Sequence, residues 1–219
     1  MPGKMIVIDG NDGSGKQTQA EMLRTRLLQM GMKVCPLSFP RYEDTFFGRL
    51  LKRALAGEFG DFSTLSPNLA ALPYAADRWV SKALIKRELE AGAYVICDRY
   101  AAANQIHQGG KIEDEERRRN FLAELEQLEY GEFRIVRPDF SIYLDVPPTT
   151  SMKLMSSRTR DIVENNPLYL ENSHSSAQWL ITQNPGEWIH VRCAVAGLMR
   201  PREEIHEEIV RCLKERSAF

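Results

Sequence analysis

The stretch Gly10–Lys16 combines three glycines with a lysine directly after a mainly apolar run, and that combination could bind phosphate. It reads GNDGSGK and follows MIVID. Glycines allow backbone conformations that are closed to other residues, so several N–H groups can point at one anion. If a helix begins at Lys16, its first amides add positive potential and the lysine ammonium can reach terminal phosphates. The pattern predicts a phosphate-binding loop between a strand and a helix, with an ordinary glycine-rich turn as the alternative.

A charged pair, Asp98 and Arg99, follows a second apolar run, Ala93–Cys97. In a parallel sheet, ligands bind beyond the carboxyl ends of the strands, where this pair would lie beside the phosphate-binding loop. We expect Asp98 to hold a magnesium ion through water and Arg99 to bridge two phosphates. A salt bridge that merely ends the strand is the alternative, and the neighbouring loop favours the functional interpretation.

Two arginines, Arg158 and Arg160, lie in the polar segment RTRDIVENNP between two predicted helices. Phosphoryl transfer spreads negative charge over the migrating group and requires cations that arrive after the substrate and exclude water. The planar fork of arginine binds phosphate oxygens in pairs. The segment therefore predicts a mobile lid at about 158–166, whereas a solvated basic loop is the alternative.

Aromatic residues stand beside arginines in two places, at Phe39–Tyr42 (FPRY) and at Tyr74–Arg78 (YAADR). An aromatic face can stack on a base, and a nearby guanidinium can bind the edge of the base or a phosphate. Taken alone, both segments fit ordinary packing equally well. Asn104 and Gln108 follow Asp98 and could read a base through their amides, although turn polarity would explain them too, and His107 is a further candidate contact.

Strand-like and helix-like segments alternate along the chain, which predicts a parallel sheet with helices on both faces. Strands are predicted at Met5–Asp9, Lys33–Phe39, Ala93–Cys97, Asp139–Val146 and Trp188–Cys193. Helices are predicted at about Lys16–Met30, Thr45–Ala56, Pro67–Ala91, Glu113–Tyr130, Thr149–Ser157, Leu168–Gln183 and Arg202–Arg216. We therefore expect a single α/β domain over residues 1–219, with the three-layer, five-stranded architecture of P-loop NTPases and the lid inserted in it.

Composition excludes several classes of protein. The 219 residues carry a net charge of −1, which argues against a nucleic-acid coat or a membrane-surface protein. Four cysteines are scattered without metal-like spacing, and the four histidines are dispersed, so neither predicts a zinc site. The first strand begins almost at the N-terminus, and no run could span a bilayer, so we expect a cytoplasmic protein with reduced thiols.

The order of the motifs resembles the thymidylate kinase family over nearly the whole chain. The motifs are IDGNDGSGK at Ile8–Lys16, FPRY at Phe39–Tyr42, ADRW at Ala76–Trp79, CDRY at Cys97–Tyr100, NQIHQGGK at Asn104–Lys111 and RTRDIVE at Arg158–Glu164. The resemblance implies phosphorylation of thymidine 5′-monophosphate (dTMP) to the diphosphate, with ATP and Mg²⁺, as part of dTTP synthesis. It also implies a homodimer.

The resemblance assigns roles position by position. It implies that ATP is bound by Gly10, Asn11, Asp12, Gly13, Ser14, Gly15, Lys16, Gln17 and Thr18. It implies that dTMP is bound by Asp12, Phe39, Arg41, Tyr74, Arg78, Arg99, Asn104, His107 and Gln108, with Tyr74 stacked on thymine. The catalytic set would be Lys16, Asp98, Arg99, Arg158 and Arg160, and Asp98 would be the metal ligand.

Three positions depart from the family pattern. Gln17 stands where a full P-loop motif has Ser or Thr to bind magnesium, which leaves open whether Gln17 or Asp98 serves the metal. Gly13 stands where one branch has arginine, so we expect the catalytic cation to come from Arg158 or Arg160. His107 stands where a tyrosine near the sugar is frequent.

Two other functions are compatible with parts of the pattern. Stacking is indifferent to base identity, so a kinase for another pyrimidine nucleotide or for a deoxynucleoside is one alternative. An ATP-dependent switch or scaffold is the other, and it would need no second nucleotide site. The segments around Phe39, Tyr74 and Asn104 argue against a switch.

Overall fold

A five-stranded sheet of parallel strands forms the centre of the protein, in the order β2-β3-β1-β4-β5. The structure, a computed structural model, describes residues 3–154 and 166–219. The strands of this sheet are β1 (Met5–Gly10), β2 (Val34–Ser38), β3 (Tyr94–Asp98), β4 (Phe140–Asp145) and β5 (Trp188–Arg192). The predicted sheet is confirmed, with strand ends shifted by at most one residue.

Helices cover both faces of the sheet. They are α1 (Lys16–Gln29), α2 (Phe46–Leu55), α3 (Pro67–Glu90), α4 (Ala101–Gly109), α5 (Glu115–Glu126), α6 (Pro148–Leu154), α7 (Pro167–Gln183) and α8 (Arg202–Glu215). Alternate residues of β1 face opposite sides, as the period of a strand requires. Ile6 and Ile8 pack with the cluster that includes Leu23 of α1 and Ile209 of α8, whereas Val7 packs with the cluster that includes Ile85 of α3. All six residues of β1 are buried, which explains its apolar character.

Three elements depart from the predicted pattern. The helix predicted over Glu113–Tyr130 ends at Glu126 and continues as a π-helical turn, Gln127–Glu132. A short antiparallel hairpin, β6 (Ala194–Val195) and β7 (Leu198–Met199), lies between β5 and α8. The third is α4, which was not predicted and which carries the amides that follow Asp98.

The α4 helix gives no sequence signal at its start. Its N-terminal cap is Tyr100, whose side chain makes no capping hydrogen bond, and its first turn has no acidic residue. It ends at a pair of glycines, Gly109 and Gly110, which made the segment resemble a turn. The helix predicted over Thr149–Ser157 is observed as Pro148–Leu154, and its remaining residues lie outside the described ranges.

No helix among the described residues is long and apolar enough to cross a membrane.

The covered face of α1 should carry much of the stability of the sheet. Leu27 is fully buried and its neighbour Leu28 is 44% exposed, so the two leucines form a matched pair. We expect Leu27→Ala to lower the free energy of unfolding by about 2–5 kcal/mol, through lost burial and the cavity left behind. Leu28→Ala should change it by no more than about 0.5 kcal/mol. Urea unfolding followed by circular dichroism measures both, and equal losses would contradict this packing.

Candidate active site

The phosphate-binding loop joins β1 to α1 in the order that the sequence predicts. The φ angles of Gly10, Gly13 and Gly15 are 152°, 76° and 87°, in the region that favours glycine. A Cβ atom added to Gly10 would lie 2.7 Å from the Leu144 carbonyl oxygen. The loop therefore depends on these glycines, and α1 begins at Lys16 with no side-chain cap on its first amides.

Lys16 is folded back onto the loop. Its ammonium donates to the Asn11 carbonyl oxygen at 2.8 Å and lies 3.9 Å from the nearer Asp12 carboxylate oxygen. Burial lowers the pKa of Lys16 to about 8, Arg99 acts in the same direction, and Asp12 opposes both. Because an incoming phosphate favours the charged ammonium, anion binding raises this pKa again.

Arg99 lies against the same loop because β3 runs beside β1, with Ile8 opposite Asp98. Its φ of 65° is unusual for a residue with a side chain, and such conformations cluster at functional sites. The guanidinium donates to the Asp12 carboxylate and, at 3.3 Å, to the Gly10 carbonyl oxygen. Burial opposes the charge of each partner, but their attraction raises the pKa of Arg99 and lowers that of Asp12 well below its usual range.

Two buried carboxylate oxygens beside this pair have no hydrogen-bond partner among the described residues: Asp9 Oδ2 and Asp98 Oδ1. Burial raises the pKa of Asp9, although Arg99, whose Nη1 lies 3.8 Å from Asp9 Oδ1, opposes the shift. Mg²⁺ prefers oxygen ligands and usually takes one or two carboxylates together with water and phosphate oxygens. The described residues contain no group of three or more acidic, histidine or cysteine side chains that could hold a metal. The donor set thus fits a magnesium ion shared with a nucleotide.

A cleft of about 1220 Å³ runs from the loop along the carboxyl edge of the sheet. Its volume exceeds the roughly 300–1,000 Å³ of sites for one small ligand. Most of the predicted site residues line it: Asp12, Gly13, Gly15, Lys16, Gln17, Thr18, Phe39, Tyr74, Arg78, Asp98, Arg99, Asn104, His107 and Gln108. The structure therefore brings the phosphate loop and the aromatic and amide residues to one space.

The end of the cleft away from the phosphate loop is lined by aromatic rings, with buried polar side chains among them. Phe39 is 4% exposed and meets Tyr100 edge-on, with ring centres 5.4 Å apart, and Tyr74 meets Phe62 in the same manner at 6.1 Å. Arg78 is 2% exposed and paired with Glu129. These contacts hold the aromatic faces in fixed positions along the cleft.

His107 joins this end of the cleft to the loop. Its Nε2 lies 2.9 Å from Arg99 Nη1, and because a guanidinium only donates, Nε2 accepts and Nδ1 carries the proton. Burial and Arg99 lower the pKa of His107 to about 3, so the ring is neutral near neutral pH. Nδ1 is buried without a partner among the described residues, and Tyr169 stacks on the ring at 5.8 Å.

Arg41 is not among the cleft-lining residues, and its place in the nucleotide pocket stays a prediction. Its guanidinium donates to Ser81 Oγ at 3.3 Å and to Asp44 at 3.1 Å, and its backbone N–H donates to Asp77 at 2.8 Å. The contact with Ser81 holds the side chain against α3. Tyr42 of the same motif lines the cleft instead.

Three loop residues, Gly10, Asn11 and Ser14, are buried and also absent from the cleft lining. Their part in ATP binding stays a prediction, and Asn11 Nδ2 and Ser14 Oγ are buried without a hydrogen-bond partner among the described residues. Arg158 and Arg160 lie outside the described residues.

Sequence reasoning missed several residues of the site. Lining residues without a predicted role include Tyr42, Lys52, Tyr169, Arg200 and Arg202. Tyr42 belongs to the FPRY motif and could have been found there. Arg200 and Arg202 follow the β6–β7 hairpin, which had no signal. Glu129 looked like one more charge on a solvated helix, yet it is 2% exposed.

A glycine-rich phosphate loop at the carboxyl edge of a parallel sheet, beside a cleft that extends past the loop, defines an α/β protein of the P-loop nucleotide-binding class. The family model described as thymidylate kinase matches residues 8–209. The chain therefore belongs to the thymidylate kinase family.

Individual relatives agree with this membership. The chain is 31% identical over 216 residues to a probable thymidylate kinase of Pyrococcus abyssi, covering 98% of this chain and 97% of the relative. It is 33% identical over 215 residues to a thymidylate kinase of Leifsonia xyli, covering 96% and 94%. The solved structure of Candida albicans thymidylate kinase matches the fold with a TM-score of 0.74 at 20% identity, covering 99% of this chain and 93% of that one.

The low pKa of Lys16 predicts that nucleotide binding takes up protons. At pH 8 the free lysine is about half protonated, so binding of ATP phosphates should add about half a proton per site. Isothermal titration calorimetry in two buffers of different ionisation enthalpy measures this uptake. The difference between the wild type and Lys16→Met should be small at pH 6.5, where the lysine is already charged, and should grow to about half a proton at pH 8. The same uptake in both proteins at pH 8 would contradict this role.

Proposed function

We propose that this protein transfers the terminal phosphate of ATP to thymidine 5′-monophosphate, giving the diphosphate that dTTP synthesis requires. The observation that carries this function is the single continuous space from the phosphate loop to the aromatic and amide end of the cleft. Membership of the thymidylate kinase family supports the nucleoside monophosphate kinase class and the thymidylate acceptor.

The donor end of the cleft is the loop. Backbone amides of the loop and of the first turn of α1 surround the ATP phosphates, and Lys16 exchanges the Asn11 carbonyl for a phosphate oxygen. Its charge then opposes the negative charge that builds up on the migrating group. Gln17 and Thr18 are exposed at the start of α1 and line the cleft, where they can contact the same phosphates.

The acceptor phosphate binds between Arg99 and the loop. Arg99 is 15% exposed and Asp12 19% exposed, so an anion can reach the guanidinium and replace part of the Asp12 contact. Burial opposes the charge of Asp12, but Arg99 and Lys16 lower its pKa, so Asp12 enters this exchange ionised. The released carboxylate can accept a hydrogen bond from the sugar of the acceptor. The exchange lines up donor and acceptor phosphates without a covalent intermediate.

Magnesium would be held by Asp98, through its unpartnered Oδ1, with Asp9 as the neighbouring carboxylate. A magnesium ion held there would supply positive charge against the nucleotide phosphates. The sequence prediction that Arg158 or Arg160 adds a mobile cation stays a prediction.

The acceptor base would lie at the apolar end. Tyr74 and Phe39 supply aromatic faces, and Arg78 and Asn104 supply polar groups at the edge of the base. His107 and Gln108 complete the pocket nearer the sugar, with a buried Nδ1 donor and a buried Oε1 acceptor that have no partner among the described residues.

An acceptor panel tests the activity. Release of ADP should be stimulated strongly by dTMP, weakly by other pyrimidine monophosphates, and not by nucleosides. Lys16→Met should lower kcat by at least about 100-fold, because a cation is lost at the transferring group, while the melting temperature stays near that of the wild type. Stimulation by a nucleoside alone would favour the alternative kinase, and a flat response to every acceptor would favour a nucleotide-dependent switch.

We also propose that the protein is a homodimer that pairs through α3. Four large apolar residues lie along one side of this helix, and they are 44–59% exposed: Leu69, Leu72, Trp79 and Val80. Exposed apolar patches of this kind mark protein contacts, and a two-fold axis lets one patch bury its copy. The four cysteines of the protein are free thiols, which suits the cytoplasmic location that we expect from the sequence.

Replacing an apolar residue of this patch should separate the subunits. Leu72→Asp introduces a charge that cannot be buried at the pairing surface, so sedimentation should shift from dimer to monomer. Leu28→Asp on α1 is the matched control, because Leu28 and Leu72 are 44% and 45% exposed. A wild type that sediments as a monomer, or an equal shift in both variants, would contradict the assignment of α3.

A further inference from the structure

A buried carboxylate that the sequence did not single out lies behind the apolar end of the cleft. Glu129 is 2% exposed and belongs to the π-helical turn that follows α5. Its two oxygens receive Nε and Nη2 of Arg78, each at 2.6 Å, in a bidentate pair. Burial opposes the charge of Arg78, but Glu129 raises the pKa of Arg78 above its ordinary value. The guanidinium is therefore a fixed cation whose plane Glu129 determines.

Glu129 also fixes the direction of an amide. The Asn104 Nδ2 donates to Glu129 Oε1 at 3.1 Å and to the Ala71 carbonyl oxygen, also at 3.1 Å. Both of these partners accept only, and an amide nitrogen has two hydrogens, so both hydrogens are used inside the protein. Turning the amide over would point its oxygen at two acceptors. Because Asn104 lines the cleft, its oxygen is the atom left for a ligand.

The two fixed groups meet at one oxygen, because Arg78 Nη2 and Asn104 Nδ2 both donate to Glu129 Oε1, and both residues line the cleft. Arg78 donates to Glu129 and to the Tyr100 carbonyl oxygen at 3.3 Å, which leaves two of its five N–H groups. Thymine and uracil carry an N3–H donor next to a carbonyl oxygen, so they match the Asn104 oxygen and an Arg78 N–H. Cytosine carries a bare N3 and an amino group, which would meet like groups.

We propose that Glu129 is a positioning residue that selects pyrimidines with an N3–H donor over cytosine, by holding Asn104 oxygen-outward and Arg78 in plane. This role rests on the proposed function, because it needs a base in this end of the cleft. Stability alone does not account for the buried Arg78–Glu129 pair, since burying an ion pair seldom gains net stability over apolar packing. A π-helical turn, a rare element that is frequently found at functional sites, carries the carboxylate.

The test compares Glu129→Gln with Glu132→Gln, an exposed residue of the same π-helical turn. A glutamine has one acceptor oxygen, so in either orientation its NH₂ faces an N–H of Arg78, and in one orientation it also faces the Asn104 amide. The ratio of kcat/KM for dTMP to kcat/KM for dCMP should fall at least tenfold in Glu129→Gln and stay unchanged in Glu132→Gln. A merely structural role would lower both substrates together and leave the ratio unaltered, and that result would overturn the proposal.

A double-mutant cycle locates the effect. In an Asn104→Ala background the amide is gone, so adding Glu129→Gln should change the ratio much less than it does in the wild type. Equal changes in both backgrounds would overturn the coupling. If Glu129→Gln melts below the assay temperature, Glu129→Asp replaces it, because this variant keeps the charge and only retracts the carboxylate.

The unmodified protein supplies a further check. Binding of dTMP methylated at N3, which has lost its donor, should be at least tenfold weaker than binding of dTMP, and equal binding would overturn the proposal. A wild type that phosphorylates no pyrimidine monophosphate would overturn the proposed function itself. Normal dTMP turnover with an unchanged base ratio in the Glu129 variants would refute only the role of Glu129.

Discussion

The contact between Arg99 and the phosphate loop is the interaction on which the rest of the site depends. It exists because β1 and β3 are adjacent and parallel, and the Arg99 backbone N–H donates to the Ile8 carbonyl oxygen at 3.0 Å. From there the left-handed φ of Arg99 turns its side chain back across the loop towards Asp12 and Gly10. One register between two strands thus sets the distance between the donor end and the acceptor end of the cleft.

The two ends of the cleft use charge in different ways. At the phosphate end, the Arg99–Asp12 pair is partly exposed and Lys16 donates to a backbone carbonyl of the loop, so an anion can compete for both cations. At the base end, Arg78 and Glu129 are each 2% exposed and bonded through two hydrogen bonds. If either partner were replaced there, a buried charge would be left unpaired. The free-energy cost of that charge is far larger than the stabilisation that an exposed ion pair provides. The phosphate end is therefore built to exchange partners, and the base end is built to stay fixed.

The sheet, its carboxyl edge and the phosphate loop could be predicted from the sequence, because apolar periodicity and glycine spacing are local properties. The directions of side chains could not be predicted in this way. The side chain of Arg41, for example, donates to Asp44 and to Ser81, and the FPRY motif gives no sign of either contact. The buried pairing of Glu129 could not be predicted either, because its partner Arg78 is 51 residues away and its own segment is rich in charge. Such pairings arise only when α3 and the π-helical turn are packed together.

The helix that the sequence analysis missed links the two ends. Asn104 and His107 are three residues apart on α4, about 4.5 Å along its axis, and so share one side of it. Asn104 is bonded to Glu129 at the base end, and His107 accepts from Arg99 at the phosphate end. A charged imidazole would repel Arg99, but burial keeps the pKa of His107 near 3 and leaves Nε2 free to accept. A displacement of α4 would therefore move the base contact and the phosphate contact together, which ties recognition of the base to the position of the cation at the reacting phosphates.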